Sequence, residues 1–275
     1  MRSISNSYNE MYQHIEKIEN KNHKYLISIV IPVYNEENTI YSILKSLPKS
    51  DKIEVIVIDD YSQDNTIREI EKAKKDRELN LVKHRKNKGY GKAILTGIKK
   101  SKGQIIVTMD ADGQHFPDDI YTLIKPILDG EVHYTIGSRY IGSYHYELPI
   151  STRIGEVLVE KLIHIFFGQK VVNNQGGFRA FDRKIIRIFD NIQYKNFAFT
   201  TELIIRAALY GYKIKELPIR LMDRKHGKSR IHLGKLAFNI IFCFIRYILI
   251  RIKMIIFKKE NICFKKHILI FKERD

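Results

Sequence analysis

Cysteine is nearly absent. Cys243 and Cys263 are the two in 275 residues, both lie in an apolar C-terminal stretch, and neither has metal-site spacing. A disulfide-stapled secreted fold is excluded on that count, and both read as reduced apolar residues of a reducing compartment. Residues 1–24 are polar and have no apolar h-region, so no secretory signal is expected there. Neither an internal repeat nor a low-complexity linker interrupts the chain. The dinucleotide fingerprint is missing too. Gly89-Tyr90-Gly91-Lys92-Ala93-Ile94 has isoleucine where the third glycine belongs, which argues against a Rossmann dehydrogenase. Acidic residues are also in deficit: 31 Asp and Glu against 48 Lys and Arg give a formal net charge of +17, which calls for an anionic partner. The excess is concentrated, because residues 220–275 hold 15 basic and 4 acidic residues, +11 of the +17. A nucleic-acid binder sets such charge on a folded reading element interleaved with aromatics. Here it is threaded through long aliphatic runs, which points to an anionic membrane surface and not to nucleic acid.

What is present fits an α/β domain with a hydrophobic content of 44%, on a chain long enough to bury a substantial core. Apolar β-type runs at 28–33, 53–58, 79–83, 105–109 and 132–137 alternate with helical patterns near 37–47, 65–78, 91–101 and 118–128. Strands alternating with helices of that length predict βαβ units and a mostly parallel, Rossmann-like sheet flanked by helices. Beyond Gly137 the pattern loosens. A helix is expected near 153–167, then a polar, glycine-containing stretch over 173–179, a helix near 201–210, a short strand at 213–217 and a basic loop over 220–230. The chain thus divides into an extension without assigned chemistry (1–24), a catalytic-type domain (25–230) and a basic, apolar helical tail (231–275).

Residues 232–257 of that tail would span roughly 39 Å as a helix, enough for a bilayer on length alone. Yet Arg246, Arg251 and Lys253 fall inside it, at about 3 kcal/mol for each charge placed at a bilayer centre. Lys235, Asn239, Arg246 and Lys253 fall within about 40° of one another on a helical wheel. A narrow basic stripe on an otherwise apolar helix describes an amphipathic, membrane-associating helix lying in the interface, ahead of one packed on protein and of one that spans.

The segment richest in chemistry is Met109-Asp110-Ala111-Asp112-Gly113-Gln114-His115. A buried strand leads into two carboxylates one residue apart, and a helix start follows. In parallel α/β sheets the carboxyl ends of strands open into the ligand crevice. Two anions there suit Mg²⁺ or Mn²⁺, which take one or two carboxylates plus phosphate oxygens. The plainer alternative is an acidic turn that caps the next helix. Three further segments have the same placement. Pro32-Val33-Tyr34-Asn35-Glu36 ends one strand, and Asp59-Asp60-Tyr61-Ser62 ends another and offers carboxylates to a base or ribose. The Gly89-Tyr90-Gly91-Lys92 loop could bring its backbone and lysine toward a diphosphate. His115 reads as a helix-start residue and not as a ligand.

Taken in order, these motifs with Asn87-Lys88-Gly89-Tyr90-Gly91 resemble the family 2 inverting glycosyltransferases of GT-A fold. Gly137-Ser138-Arg139-Tyr140, Gly177-Phe178-Arg179-Ala180 and the stretch from Glu216-Leu217-Pro218 to Gly227-Lys228-Ser229 resemble the polyprenyl-phosphate branch, the dolichol-phosphate mannose synthases and their relatives. The resemblance covers about residues 25–230. It implies that Pro32, Tyr34 and Glu36, with Val57 and Asp59 or Asp60, hold the base and ribose of a nucleotide-sugar donor, Asp110 and Ala111 lying against the same nucleotide. Asp110 and Asp112, with Gln114, would hold the divalent metal. Arg139 and Arg153 match arginines that hold an acceptor phosphate, Asp112 and Arg139 being the catalytic pair. Arg224, Lys228 and Arg230 fall in the basic loop that closes over the donor. Two positions depart from the branch: Asn173 stands where an Asp is common, and Val157 where a Ser is common four residues after the second arginine.

The implied reaction is hexose transfer from a GDP-mannose or UDP-glucose type donor to a polyprenyl phosphate, with inversion, at the cytoplasmic face of the membrane. A phosphate acceptor is already an anion near neutrality, because its second pKa is about 6, so no general base is required. A transferase acting on a glycan or glycolipid is the first alternative. A non-catalytic, nucleotide-binding membrane protein is the second.

Overall fold

The computed structural model describes residues 2–18, 25–144, 150–196, 198–223 and 233–272. The elements run α1 (Arg2–Glu16), β1 (Tyr25–Val33), α2 (Ile40–Ser46), β2 (Ile53–Asp59), α3 (Thr66–Ala73), β3 (Asn80–Lys83), α4 (Tyr90–Lys100), β4 (Gly103–Thr108), α5 (Ile120–Leu128) and β5 (Tyr134–Tyr144). They continue with α6 (Ile150–Phe167), β6 (Arg179–Asp182), α7 (Ala198–Leu209), β7 (Ile214–Leu221) and α8 (Leu233–Lys272). The seven strands among the described residues form one sheet in the order β3-β2-β1-β4-β6-β5-β7. Every neighbouring pair is parallel except those of β6, which runs antiparallel to both β4 and β5. The carboxyl ends of β1, β2, β4, β5 and β7 therefore share one edge of the sheet.

The β runs form strands because branched residues fill both faces. Ile29, Ile31, Val55 and Val57 pack in the cluster with α2 and α5, while Val30, Ile56, Ile58 and Ile106 pack in the one with α4 and α7. Pro32 is tolerated inside β1 because β4 stops pairing there at Val30 opposite Thr108, so no neighbour needs the missing N–H. After Thr108, β4 turns away and the crevice opens.

Two elements add to the expected pattern. The stretch over 173–179 continues into β6, and Arg179 at its start is 2% exposed. Its guanidinium donates to the carbonyls of Gly176 (2.6 Å), Asn174 (2.8 Å) and Thr200 (3.2 Å) and to the Tyr134 hydroxyl, so loop 174–177 is fastened to the sheet. The N-terminal extension forms α1, which buries Met11 and Ile15 in the domain core. Ser7 and His14 on that helix hydrogen-bond the Asp118 carbonyl and the Tyr121 hydroxyl.

Over residues 236–256 one face of the tail packs on the domain and the other is exposed. Ile240, Cys243, Phe244 and Tyr247, at helical spacing, pack on the domain. Phe244 lies 6.0 Å from Phe167 of α6, and the Tyr247 hydroxyl donates to the buried Glu202 of α7 at 2.6 Å. On the opposite side Phe238, Ile241, Ile245, Leu249 and Ile252 remain about half exposed or more, and the exposed Arg246 and Lys253 lie between the two faces. No described helix is long and apolar enough to cross a membrane.

Candidate active site

At the end of β1 the backbone of Asn35 enters the left-handed region (φ 55°), and Tyr61 does so at the end of β2 (φ 74°). Such residues cost about 1–3 kcal/mol each unless neighbours hold them. Here they are held by reciprocal bonds. The Asn35 N–H donates to Ser62 Oγ (2.9 Å), the Gln63 N–H to Asn35 Oδ1 (2.7 Å), and the Glu36 N–H to Thr66 Oγ1 (2.8 Å). Tyr34 and Glu36 are half-buried beside this seam, and the Tyr61 ring is exposed at its rim.

The two carboxylates of β2 have different surroundings. Asp59 Oδ1 and Oδ2 each accept from the Ser62 N–H at 3.3 Å. Asp60 is enclosed: His84 Nδ1 lies 2.6 Å from Oδ1, and the N–H groups of Lys88 and Gly89 donate to Oδ1 and Oδ2 at 2.9 and 2.8 Å. Asp60 thus anchors the 87–91 loop, whereas the bonds of Asp59 to Ser62 stay within its own turn. Val57 is also corrected. Its side chain is 0% exposed and packs with Ile29 and Ile31, because helices cover both faces of the sheet at β2.

The 87–91 loop does not offer phosphate ligands from its glycines. Besides the two N–H groups on Asp60, the Gly91 N–H donates to the Lys195 carbonyl at 2.9 Å. The loop instead delivers the Tyr90 hydroxyl, which donates to Asp110 Oδ1 at 3.0 Å. Burial, then the nearby charge of Asp110, holds the Tyr90 phenol well above its usual pKa, so it stays protonated and a donor.

Asp110 is half-buried and Asp112 buried. Asp112 Oδ1 accepts from the Gln114 N–H at 3.1 Å. The Ala111 carbonyl accepts from Thr39 Oγ1 at 2.6 Å, so that oxygen is engaged within the protein and Ala111 serves to pin the turn to α2. Gln114 Nε2 donates to the Met222 carbonyl (3.0 Å) and the Met222 N–H returns a bond to the Gln114 carbonyl (3.0 Å). Gln114 therefore ties the acidic turn to the root of the basic loop, with only its Oε1 left for a metal. His115 bridges Leu221 and its ring lies 5.0 Å from that of Phe178, with Nδ1 buried and without a hydrogen-bond partner among the described residues. Among the described residues no group of three His, Cys, Asp or Glu side chains forms a complete metal cage. Two hard carboxylates one residue apart, with space kept beside Asp110 by Gly177, nonetheless fit a divalent ion whose remaining ligands are phosphate oxygens and water.

Arg139, in β5 just past Ser138 where its register with β7 shifts, and Arg153 on α6 converge on one buried carboxylate. Glu156 Oε1 accepts from Arg139 Nη2 at 2.6 Å, Oε2 lies 4.0 Å from Arg153 Nη1, and the Tyr140 hydroxyl donates to Oε2. The Arg153 guanidinium stacks 3.9 Å above the Tyr140 ring. Burial, then the bond to Glu156, raises the Tyr140 pKa. Glu156 sits one turn beyond Arg153, a spacing visible in the sequence, yet only the fold brings Arg139 to it. From Arg153 onward α6 turns Ile154 (65% exposed), Leu158 (60%) and Ile165 (70%) outward.

The Asn173 departure has a local cause. Its N–H donates to Glu216 Oε1 (2.7 Å) and its Nδ2 to the Gly137 carbonyl (2.7 Å). An aspartate would lose the second bond and bring a second carboxylate beside Glu216. Val157 is half-buried and lies on α6 next to Glu156. Arg224, Lys228 and Arg230 lie outside the described residues.

The sequence model of the family described as Glycosyl transferase family 2 matches residues 28–189. The UDP-N-acetylglucosamine–dolichyl-phosphate N-acetylglucosaminyltransferase of Methanococcus voltae is 30% identical over 235 residues, which cover 79% of this chain and 94% of that protein. The dolichol-phosphate mannosyltransferase of Pyrococcus furiosus is 27% identical over 220 residues, covering 78% of this chain and 61% of that protein. Among solved structures, glucosyl-3-phosphoglycerate synthase from Mycobacterium tuberculosis, crystallised with Mn²⁺, UDP and phosphoglyceric acid, superposes with a TM-score of 0.67 at 20% identity, over 88% of this chain and 82% of that one.

Proposed function

The chain belongs to glycosyl transferase family 2 and has the GT-A fold, and from that premise we propose that it transfers a hexose from a nucleotide sugar to a polyprenyl monophosphate. The observation that carries the acceptor is the Arg139–Tyr140–Arg153 group around Glu156, with an exposed apolar stripe on α6 beginning at the next residue, Ile154. Two guanidiniums suit a phosphate head, and the stripe suits the isoprenoid that follows it. The relatives named for dolichyl phosphate support the same acceptor class.

Asp59, Tyr34 and Glu36 would receive the base and ribose at the ends of β1 and β2. Asp110 and Asp112 would hold Mg²⁺ or Mn²⁺ against the donor diphosphate, where the ion neutralises the departing charge. An oxygen of the acceptor phosphate attacks the anomeric carbon as the bond from that carbon to the diphosphate oxygen breaks. The electron pair leaves with the nucleoside diphosphate, and the single displacement inverts the centre. No side chain needs to remove a proton, because the nucleophile is already anionic. The work of Arg139 and Arg153 is to hold two anions close together in line. The outward faces of α6 and α8, with Arg246 and Lys253 on the flank of α8, would rest on an anionic membrane surface at its cytoplasmic side.

We take a UDP-linked sugar, of the N-acetylglucosamine or glucose type, as the first donor to test, ahead of GDP-mannose, on the strength of the M. voltae relative. Incubation of each labelled donor with a short polyprenyl phosphate and Mn²⁺ should yield labelled lipid, and Asp112→Asn should remove it. Transfer that persists in chelator and in the variant would refute the metal-assisted reading.

A further inference from the structure

Tyr90 is absorbed neither by the nucleotide seam nor by the acceptor group, yet its hydroxyl is directed at the acidic turn. Three anchors fix it there. The Lys88 and Gly89 N–H groups are held by Asp60, Asp60 is held by His84, and the Gly91 N–H is held by the Lys195 carbonyl. His84 is itself braced by Thr96 Oγ1, 2.9 Å from Nε2, one turn and a half further along α4. Tyr90 is the first residue of α4, so this scaffold sets the direction of its ring.

On the other side of Asp110 stands Gly177. A Cβ placed there would collide with both carboxylate oxygens of Asp110 and with the Tyr90 hydroxyl. The Gly177 carbonyl in turn accepts from Thr108 Oγ1 at 2.7 Å, which fixes that backbone to the end of β4. The Asp110 carboxylate is therefore set between a phenol and a bare backbone. Left to itself, an aspartate turns about its terminal torsion and must be ordered when it binds a cation. A donor on Oδ1 fixes the plane of the group. Partners of this kind orient metal-binding carboxylates, and their loss typically costs about 10–100-fold in metal affinity.

We infer that Tyr90 is a positioning residue for Asp110: its hydroxyl presets the carboxylate for a divalent cation, with Gly177 supplying the clearance. The inference rests on Asp110 and Asp112 being the metal ligands. It gives the 87–91 loop a role in the acidic turn, 20 residues away in the chain, where its glycines had suggested contact with a diphosphate.

The test is Mn²⁺ binding to the full chain in the presence of saturating UDP, read from the electron paramagnetic resonance signal of free Mn²⁺, with no turnover required. Tyr90→Phe, which removes one oxygen, should weaken Mn²⁺ binding by about tenfold or more while leaving metal-free UDP affinity unchanged. Asp110→Asn should weaken it further, and Tyr90→Phe should add nothing to Asp110→Asn, because the hydroxyl acts through that carboxylate. Gly177→Ala, whose Cβ would crowd both the carboxylate and the Tyr90 hydroxyl, should also weaken Mn²⁺. If Tyr90→Phe binds Mn²⁺ within about twofold of the parent while Asp110→Asn does not, the positioning role is refuted and the metal site stands. If Asp110→Asn binds Mn²⁺ like the parent, the metal reading falls and the inference with it.

Discussion

Replacing Glu156 by glutamine should loosen the acceptor end of the site in a way that phosphate repairs. The carboxylate is 5% exposed and receives Arg139 Nη2 at 2.6 Å, the Tyr140 hydroxyl, and Arg153 at 4.0 Å. Glutamine keeps the shape and removes the charge. A hydrogen bond to a charged partner contributes about 1.5–3 kcal/mol, which sets the Arg139 part. The Arg153 pair adds at most about 1 kcal/mol, since its guanidinium is more than a third exposed and screened. A loss of about 2–3 kcal/mol corresponds to a fall in Tm of about 4–12 °C for a domain of this size. The two guanidiniums would then face each other without an anion between them. Inorganic phosphate should therefore raise the Tm of Glu156→Gln by more than it raises that of the parent. Thermal denaturation with and without phosphate measures both. A variant that melts within about 1 °C of the parent would refute the role given to Glu156, since it implies a pair worth almost nothing. Equal stabilisation of both proteins by phosphate would refute the idea that these arginines form an anion site.

Arg139→Ala should raise the KM for polyprenyl phosphate by about tenfold or more and leave the KM for the nucleotide sugar nearly unchanged, because its contacts are with Glu156 and Tyr140 and not with the β1–β2 seam. Ile245→Glu on the outward face of α8 should reduce sedimentation with vesicles containing anionic lipid while leaving the Tm within about 1 °C, because the side chain is half exposed and touches no core cluster. Tyr247→Phe makes the converse change. Loss of its bond to the buried Glu202 should lower the Tm by about 3–12 °C, read by the same melt, with vesicle binding retained.

The parts of this site that could be read in the sequence are those where a buried strand ends in unlike chemistry. The apolar runs into Asp59 and Asp110 mark strand ends, and in a parallel sheet that indicates the edge where ligands bind. What could not be read depends on contacts between distant segments. Asp59 and Asp60 are adjacent and equally buried carboxylates, and only His84 just past β3 and the N–H groups of Lys88 and Gly89 single out the one that anchors the 87–91 loop. Val57 lies in the same strand, yet its side chain is buried because helices cover both faces of the sheet there. The strand β6 is four residues bounded by Arg179 and Asp182, with no alternation to signal it. It exists because Arg179 finds three carbonyls and a tyrosine after the chain has folded. The glycines of 89–91 are phosphate-loop residues by composition, but their N–H groups are occupied by Asp60 and Lys195. The tail showed its basic stripe in sequence, whereas its second apolar face was assigned only when α7 was seen to cover it.

The central claim is that the nucleophile is a lipid phosphate held by Arg139 and Arg153. It is tested most directly by offering the enzyme a polyprenyl phosphate and the matching polyprenol side by side with the same labelled nucleotide sugar and Mn²⁺. The account predicts labelled product from the phosphate alone, since the alcohol has neither the charge that the arginines bind nor a base to ionise it. Comparable labelling of the alcohol, or none of the phosphate under conditions where the sugar is transferred elsewhere, would contradict it.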